Sequence, residues 1–320
     1  MMDALERAAE VIERSPLVAL ACHVTPDGDA LGSMLAMHLL CRSQGKASVA
    51  SWPEPFVVAP HYTYLPGLDS VTKPADFPDA PPVMVTFDCG SLDRLNELAE
   101  PAREAGELIV VDHHATNDSY GTVNLLDADA AASAVMVYRL AKRMRWELTR
   151  DVAICLYTGI VTDTGRFQYG NTTPEVLEMA TELSRFDIPI AEMSRRLFEE
   201  HRFAYLQLVA TALQRAELDL ERRFVVTWVT LADLDRFGVD MDEAEGLIDI
   251  VRRTEEADVS CVLKESADGI KVSLRSVTDF DVAAIAVRFG GGGHRAAAGF
   301  TDPRSIPEVL ADIRAQLPVR

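Results

Sequence analysis

Residues 17–45 read LVALACHVTPDGDALGSMLAMHLLCRSQG. The unbroken apolar run LVALAC predicts a strand buried on both faces, the kind found in parallel sheets. The polar HVTPDGD predicts a loop, and the apolar-rich stretch after it a helix that stops at Gly45, the residue type suited to a helix C-terminus. A second run, KASVASW, follows at once. Strand, helix, strand in this order is the unit of a parallel sheet with crossover helices. The loop carries a second signal. Asp27 and Asp29 flank Gly28 just after His23, and like charges held so close cost stability unless a cation lies between them.

The signature recurs outward from there. PPVMVTFD (81–88) and GELIVVDHH (106–114) are short apolar runs ending in acidic or imidazole side chains, and the helical stretches AASAVMVYRLAKRM (131–144) and DVAICLYTGIVTD (151–163) follow. Open α/β sheets place ligands at the carboxyl ends of their strands, where His23, Asp88, Asp112, His113 and His114 all fall. The alternation stops near residue 186. The charged, helix-prone span that follows predicts a helical linker over 187–222, and a fresh mixed pattern begins after it. Two strands joined by SADG (266–269) predict an antiparallel pair, and DVAAIAVRF predicts a helix leading into GGGGHRAAAGF (290–300). The expected architecture is α/β: an N-terminal parallel-sheet domain with flanking helices over 1–186, and a smaller mixed α/β domain over 223–320.

Composition narrows the function. The 320-residue chain is 48% hydrophobic, enough for two substantial cores, and carries a net charge of −19 with 31 basic against 50 acidic residues. Such a field repels long nucleic acids and anionic membranes, so a phosphate-bearing ligand requires a metal or a local basic pocket. No apolar run approaches the length of a membrane span. The five cysteines lack CxxC spacing and lie mostly in apolar runs, as expected of buried thiols in a reducing cytoplasm. The N-terminus MMDALERAAEVIERSP is amphipathic and acidic, which predicts a helix and not a secretory signal.

Each polar feature also has an ordinary reading. Asp27-Gly28 suits a solvated turn, His113 and His114 a hydrogen-bonded core pair, Asp88 the cap of a helix near Asp93, and Asp163 a helix stop. Their joint occurrence at successive element ends favours a metal centre. Carboxylate and imidazole ligands without thiolate suit Mn²⁺, Mg²⁺ or Fe²⁺ better than structural zinc. Alternate positions in one loop can serve two ions, and paired divalent ions are a standard device for phosphate-ester hydrolysis. The four glycines could form a flexible linker; they stand instead inside a domain, beside His294 and Arg295, where glycine lets backbone N–H groups approach an anion.

HVTPDGDALGS, FDCGSLDRL, VDHHATND and GIVTDTGRF resemble, in order, the motifs of the DHH phosphoesterase superfamily. FGGGGHRAAAGF resembles the glycine-rich signature of its companion DHHA1 domain. Within the superfamily the chain is most similar to the branch of oligoribonucleases and 3′-phosphoadenosine 5′-phosphate (pAp) phosphatases. The resemblance implies two divalent ions, with Mn²⁺ expected: one held by His23, Asp27 and Asp88, the other by Asp29, Asp88, His113 and Asp163, with Asp88 shared. It places His114 beside the scissile phosphate, Asp112 as the orienting carboxylate, and Arg94 towards substrate. It places Arg275, Gly291, Gly292, Gly293, His294 and Arg295 against the nucleotide. The implied substrates are short RNA, linear or cyclic dinucleotides and pAp, with no long duplex and no membrane partner; a homodimer is compatible with this reading. A manganese inorganic pyrophosphatase would share the first-half motifs, but its basic Arg-Lys-Lys signature is absent. An exonuclease for long single-stranded DNA would need a larger, more basic chain. A nucleotide-binding module without catalysis would be expected to have lost ligands, and none is replaced.

Overall fold

The computed structural model describes residues 2–319, which form two compact units divided between residues 200 and 201. In chain order the first unit contains α1 (Met2–Arg14), β1 (Leu17–Cys22), α2 (Gly28–Ser43), β2 (Ala47–Ser51), β3 (Val83–Phe87), α3 (Ala99–Glu104), β4 (Glu107–Asp112), β5 (Val123–Leu126), α4 (Ser133–Met144), α5 (Arg150–Asp163), α6 (Pro174–Ser184) and α7 (Ile190–Phe198). All neighbouring strands are parallel, in the order β2-β1-β3-β4-β5. Alternate residues of these strands bury on opposite faces. Val18, Leu20, Val85 and Ile109 join the core beneath α1, α2, α4 and α5, while Ala19, Ala21, Met84 and Leu108 pack with Leu95, Leu98 and Ala102. The order reverses between β1 and β3. Such a switch point opens a crevice at the strands' carboxyl ends, and His23 and Asp88 stand there.

Two helices are pressed together to close this crevice. A Cβ on Gly32 of α2 would lie 2.5 Å from the Cys155 carbonyl oxygen of α5, and one on Gly159 would lie 2.6 Å from the Ala134 Cβ and 2.8 Å from Asp29 Oδ1. Only hydrogen at these two positions allows the backbones to meet so closely. The helix expected near Asp93 is a 3₁₀ segment, Leu92–Leu98, broken at Asn96, whose φ is +42°.

The second unit contains α8 (Phe203–Gln214), β6 (Glu217–Asp219), β7 (Phe224–Val229), α9 (Leu231–Phe237), α10 (Leu247–Val251), β8 (Val259–Ser266), β9 (Gly269–Ser276), α11 (Val282–Arg288), β10 (Gly292–His294), β11 (Ala297–Asp302) and α12 (Ile306–Gln316). Its sheet runs β10-β11-β9-β8-β7-β6, antiparallel except between β7 and β8. Phe224, Cys261, Leu263, Val272, Leu274 and Phe300 face one core with α11 and α12. Val225, Val229 and Val262 face another with α8, α9 and α10. The span 187–222 therefore holds two separate helices: Met193 of α7 belongs to the first unit's core, and Tyr205 and Leu208 of α8 to the second's. The glycine run is not a linker. Gly292–His294 is a strand of the sheet, and a Cβ on Gly291 would lie 2.2 Å from the Gly299 carbonyl oxygen.

Candidate metal centre

Five segments of the first unit deliver polar side chains to one place. β1 ends one residue before His23, and the loop after it places Asp27 as the N-cap of α2, where Oδ1 accepts from the Asp29 and Ala30 amides at 3.1 and 3.0 Å. Asp88 follows β3 with φ +53°, a left-handed conformation uncommon for a residue with a side chain. Asp112 ends β4, with His113 and His114 next, and Asp163 ends α5.

Asp88 lies at the middle of the cluster. Its Oδ2 is 3.5 Å from His23 Nε2, and its Oδ1 is 3.4 Å from His113 Nε2. Around His23 Nε2 also stands Asp27 Oδ2, at 3.9 Å; around His113 Nε2 stand Asp163 Oδ2 at 3.1 Å and Asp29 Oδ2 at 4.0 Å. The two carboxylate oxygens of Asp88 thus face two different donor groups. The structure brings His23 and Asp27 to one side of Asp88, and Asp29, His113 and Asp163 to the other.

The outer contacts fix which ring nitrogen each histidine presents. His23 Nδ1 lies 2.8 Å from the Val24 carbonyl oxygen, and His113 Nδ1 lies 3.2 Å from that of Ala130. A carbonyl only accepts, so each Nδ1 carries a hydrogen, and Nε2 is the nitrogen left to offer a lone pair to a metal once its own proton is lost. Arg94 Nη2 is 3.0 Å from the same His23 Nδ1. A guanidinium only donates, so that contact and the carbonyl contact cannot both be hydrogen bonds; the carbonyl contact leaves Nε2 available. His114 is held differently, its Nδ1 2.7 Å and its amide nitrogen 3.2 Å from Asp112 Oδ1. Asp112 is fully buried, and its Oδ2 accepts from Asn117 Nδ2 at 2.5 Å.

Without a cation the cluster is electrostatically tense. Burial pushes the Asp29 carboxyl well above its ordinary range and that of Asp163 up to about 6, each reinforced by neighbouring carboxylates. Burial would push His113 down, but the hydrogen bonds it donates to Asp163 and Asp88 outweigh it and hold the imidazole up at about 12. Burial also opposes ionisation of Asp88, yet His113 and His23 hold it well below its usual range. Divalent ions would supply the positive charge that these carboxylates otherwise draw from the histidines, and the hard oxygen and imidazole donors suit such ions. Cys22 and Cys89 are buried nearby with thiols pushed up chiefly by burial, so neither offers a thiolate.

In the second unit, Arg275 on β9 and Ala297 on β11 are directly paired, and Ala297 pairs in turn with His294 on β10. Arg275 Nη1 donates to the Leu274 carbonyl at 3.1 Å. Gly292 is open, with nothing within 4 Å of a Cβ built there. Gly293 has φ +136°, and a Cβ there would strike the Ala297 carbonyl oxygen, so Gly291 and Gly293 answer to strand packing. Arg295 is tied back by Nε and Nη2, which donate to the Asp279 carbonyl at 2.9 and 2.5 Å.

Residues 17–160 match the DHH family, N-terminal domain, and residues 222–317 match the DHHA1 domain. The bifunctional oligoribonuclease and PAP phosphatase NrnA of Thermus thermophilus is 32% identical over 292 residues, covering 89% of this chain and 83% of that protein. The chain belongs to the DHH family. The NrnA protein of Bacillus subtilis, which bears the same description, is 28% identical, with 88% of each chain covered. An exopolyphosphatase-related protein from Bacteroides fragilis has the same fold, with a TM-score of 0.92 at 24% identity over 98% of this chain and 95% of that one. As a member of this metal-dependent family, the protein is a phosphoester hydrolase. No helix among the described residues is long and apolar enough to cross a membrane.

Some contributors to the DHH site carry no signal in their residue type. The Ser133 and Ala134 amides, at the start of α4, donate to Asp29 at 2.5 and 2.9 Å, and Ser133 Oγ donates to Asp88 Oδ1 at 3.2 Å. Asn117 also donates to the Cys89 carbonyl, bracing the strand ends that carry Asp88 and Asp112. The asparagine lies inside VDHHATND; the Ser133 amide, 104 residues from the Asp29 it serves, lies in none of the motifs.

Proposed function

We propose that this DHH enzyme hydrolyses short oligoribonucleotides and linear or cyclic dinucleotides to nucleoside monophosphates and removes the 3′-phosphate of pAp, using two divalent ions, Mn²⁺ by preference. The observation that carries the reading is Asp88, whose two oxygens face separate His and Asp groups. His23, Asp27 and Asp88 would hold one ion, and Asp29, Asp88, His113 and Asp163 the other. Two bound ions supply Lewis-acid charge to phosphoryl oxygens and make a water nucleophilic at neutral pH.

The protein's own groups do the remaining work. The backbone carbonyls of Val24 and Ala130 fix the ligand tautomers, and Ser133 steadies the shared carboxylate. Asp112 orients His114, and burial, which alone would lower the His114 pKa, is outweighed by that carboxylate. A protonated His114 donates to a phosphoryl oxygen and hands its proton to the leaving oxygen. Arg94 lies beside His23 and supplies positive charge towards the phosphate. The first unit performs the chemistry, and the second anchors the nucleotide through Arg275, the Gly291–Gly293 run, His294 and Arg295. An anchored end favours short substrates, which suits a chain of net charge −19 with little long-range attraction for long RNA.

Steady-state rates with Mn²⁺ on pAp, pApA, pGpG, cyclic di-AMP, a longer RNA and pyrophosphate test this reading. The short nucleotides should exceed both the longer RNA and pyrophosphate in kcat/KM. Pyrophosphate as the best substrate would overturn it in favour of a pyrophosphatase.

A further inference from the structure

The face of the second unit's sheet that packs α8, α9 and α10 at β7 and β8 carries an unexplained cost where it extends onto β9. On β9, Ile270, Val272 and Leu274 enter the core, so Lys271, Ser273 and Arg275 share the opposite face. On β8, Ser260, Val262 and Lys264 lie on that same face. Lys264 and Lys271 are directly paired across the two strands. Like charges in that position are destabilising. Lys264 is 1% exposed and pairs with Glu245 of the Glu243–Gly246 turn; burial, first, and then Lys271 and Arg275 lower its pKa. Among the described residues, no carboxylate lies within 4.0 Å of Lys271 or Arg275. Three cations on one sheet face, with one carboxylate among them, stand out in a chain with 19 excess negative charges.

The floor between these charges is bare. Ser273 pairs with Gly299, and Gly299 with Gly292, so across three strands the middle of the face has one small side chain. A Cβ on Gly299 would lie 2.8 Å from the Val272 carbonyl oxygen, so that position cannot be filled without moving β9. The trough has a cation at each end, Arg275 at one, in register with His294 two strands away, and Lys271 beside Lys264 at the other. Four residues of strand separate Arg275 from Lys271, about 13 Å, or roughly two internucleotide steps of an unstacked single strand.

We propose that Lys271, beside the buried Lys264, is a second phosphate subsite that engages a nucleotide phosphate two steps from the one at Arg275. The Ser273–Gly299–Gly292 floor passes the intervening nucleotide. The substrate class so defined is a 5′-phosphorylated trinucleotide or slightly longer RNA; pAp and a dinucleotide are too short to reach both ends. This rests on the proposed nucleotide-anchoring role of the second unit, and deepens it by giving that unit a means of sensing length.

The test compares wild type, Lys271→Ala and Lys271→Arg as full chains with Mn²⁺ on pAp, pApA and pApApA, together with equilibrium binding of a phosphorothioate-linked trinucleotide. Lys271→Ala should raise KM and Kd for the trinucleotide about tenfold, change pAp and pApA less than twofold, and reduce the salt dependence of trinucleotide binding by about 0.7 in logarithmic slope, the share of one lost phosphate contact. Lys271→Arg should restore most of the loss. Equal effects on all three lengths, or unchanged trinucleotide binding, would overturn the subsite. A wild-type protein that hydrolyses none of the three would instead refute the proposed activity, and the binding comparison would still decide the role of Lys271.

Discussion

Asp88 is held in a left-handed backbone conformation that costs about 1 kcal/mol or more for a residue with a side chain. The conformation is stabilised by its place between β3 and the Cys89–Gly90 turn, and it turns the carboxylate so that each oxygen meets a different histidine. His38 offers a contrast at the other end of the first unit. Ser70 Oγ donates to the Gly67 carbonyl, so His38 Nε2 donates to Ser70 at 3.1 Å while Nδ1 accepts from Ser48 at 2.9 Å. That ring is neutral, its pKa pushed down to about 4 by burial and by Arg42. An ordinary histidine near 6.5 in the unfolded chain takes up a proton first as the pH falls. The stabilisation from a neutral His38 is therefore complete above about pH 6.5 and lost between there and about pH 4, on the order of 1–2 kcal/mol after allowance for nearby solvent. Urea midpoints of wild type and His38→Gln should converge across that interval. A constant gap would mean that His38 does not titrate with unfolding.

Elements were legible where one period dominated. LVALACHV, PPVMVTFD and GELIVVDHH are each apolar on both faces and became β1, β3 and β4. Short elements were not: β5, β6 and β10 are three or four residues long, too few for a period, and glycine in β10 speaks for a loop. The residues of the candidate metal centre stood out because Asp and His at strand ends are costly without a purpose. Their supports could not, since Ser133 and Ala134 reach Asp29 through backbone amides. The contact of α2 with α5 was equally hidden, because a glycine in a helix does not say what approaches it. Gly32→Ala should destabilise the first unit by roughly 1–3 kcal/mol, since the new methyl meets the Cys155 backbone carbonyl and not a flexible side chain. It should also weaken metal binding, because Asp29 lies in the same turn. A thermal midpoint unchanged within 1 °C would show that the helices can part without cost.

Across the whole molecule, the proposed division of labour predicts different penalties for different substrates. Arg275→Ala and His294→Ala should lower kcat/KM on a dinucleotide by about 10²-fold or more while leaving the metal content intact, and should affect bis-p-nitrophenyl phosphate far less, because that ester gains little from a nucleotide anchor. His113→Ala should damage both substrates through loss of a ligand. Measurements at saturating Mn²⁺ keep weakened metal binding from imitating weakened substrate binding. Equal losses on both substrates for His294→Ala would remove its anchoring role and place it at the chemistry or in folding.

The most direct test of the shared-carboxylate centre is the number of Mn²⁺ ions bound per chain, measured with hydrolysis in wild type, Asp88→Asn and Asp88→Ala. Wild type should bind two ions. Asp88→Ala should fail to hold the pair, because it removes the one anion placed between them, and should lose at least about 10³-fold in turnover; Asp88→Asn keeps the shape without the charge and should be severely impaired as well. Two ions bound with near-normal turnover in Asp88→Ala would contradict the account.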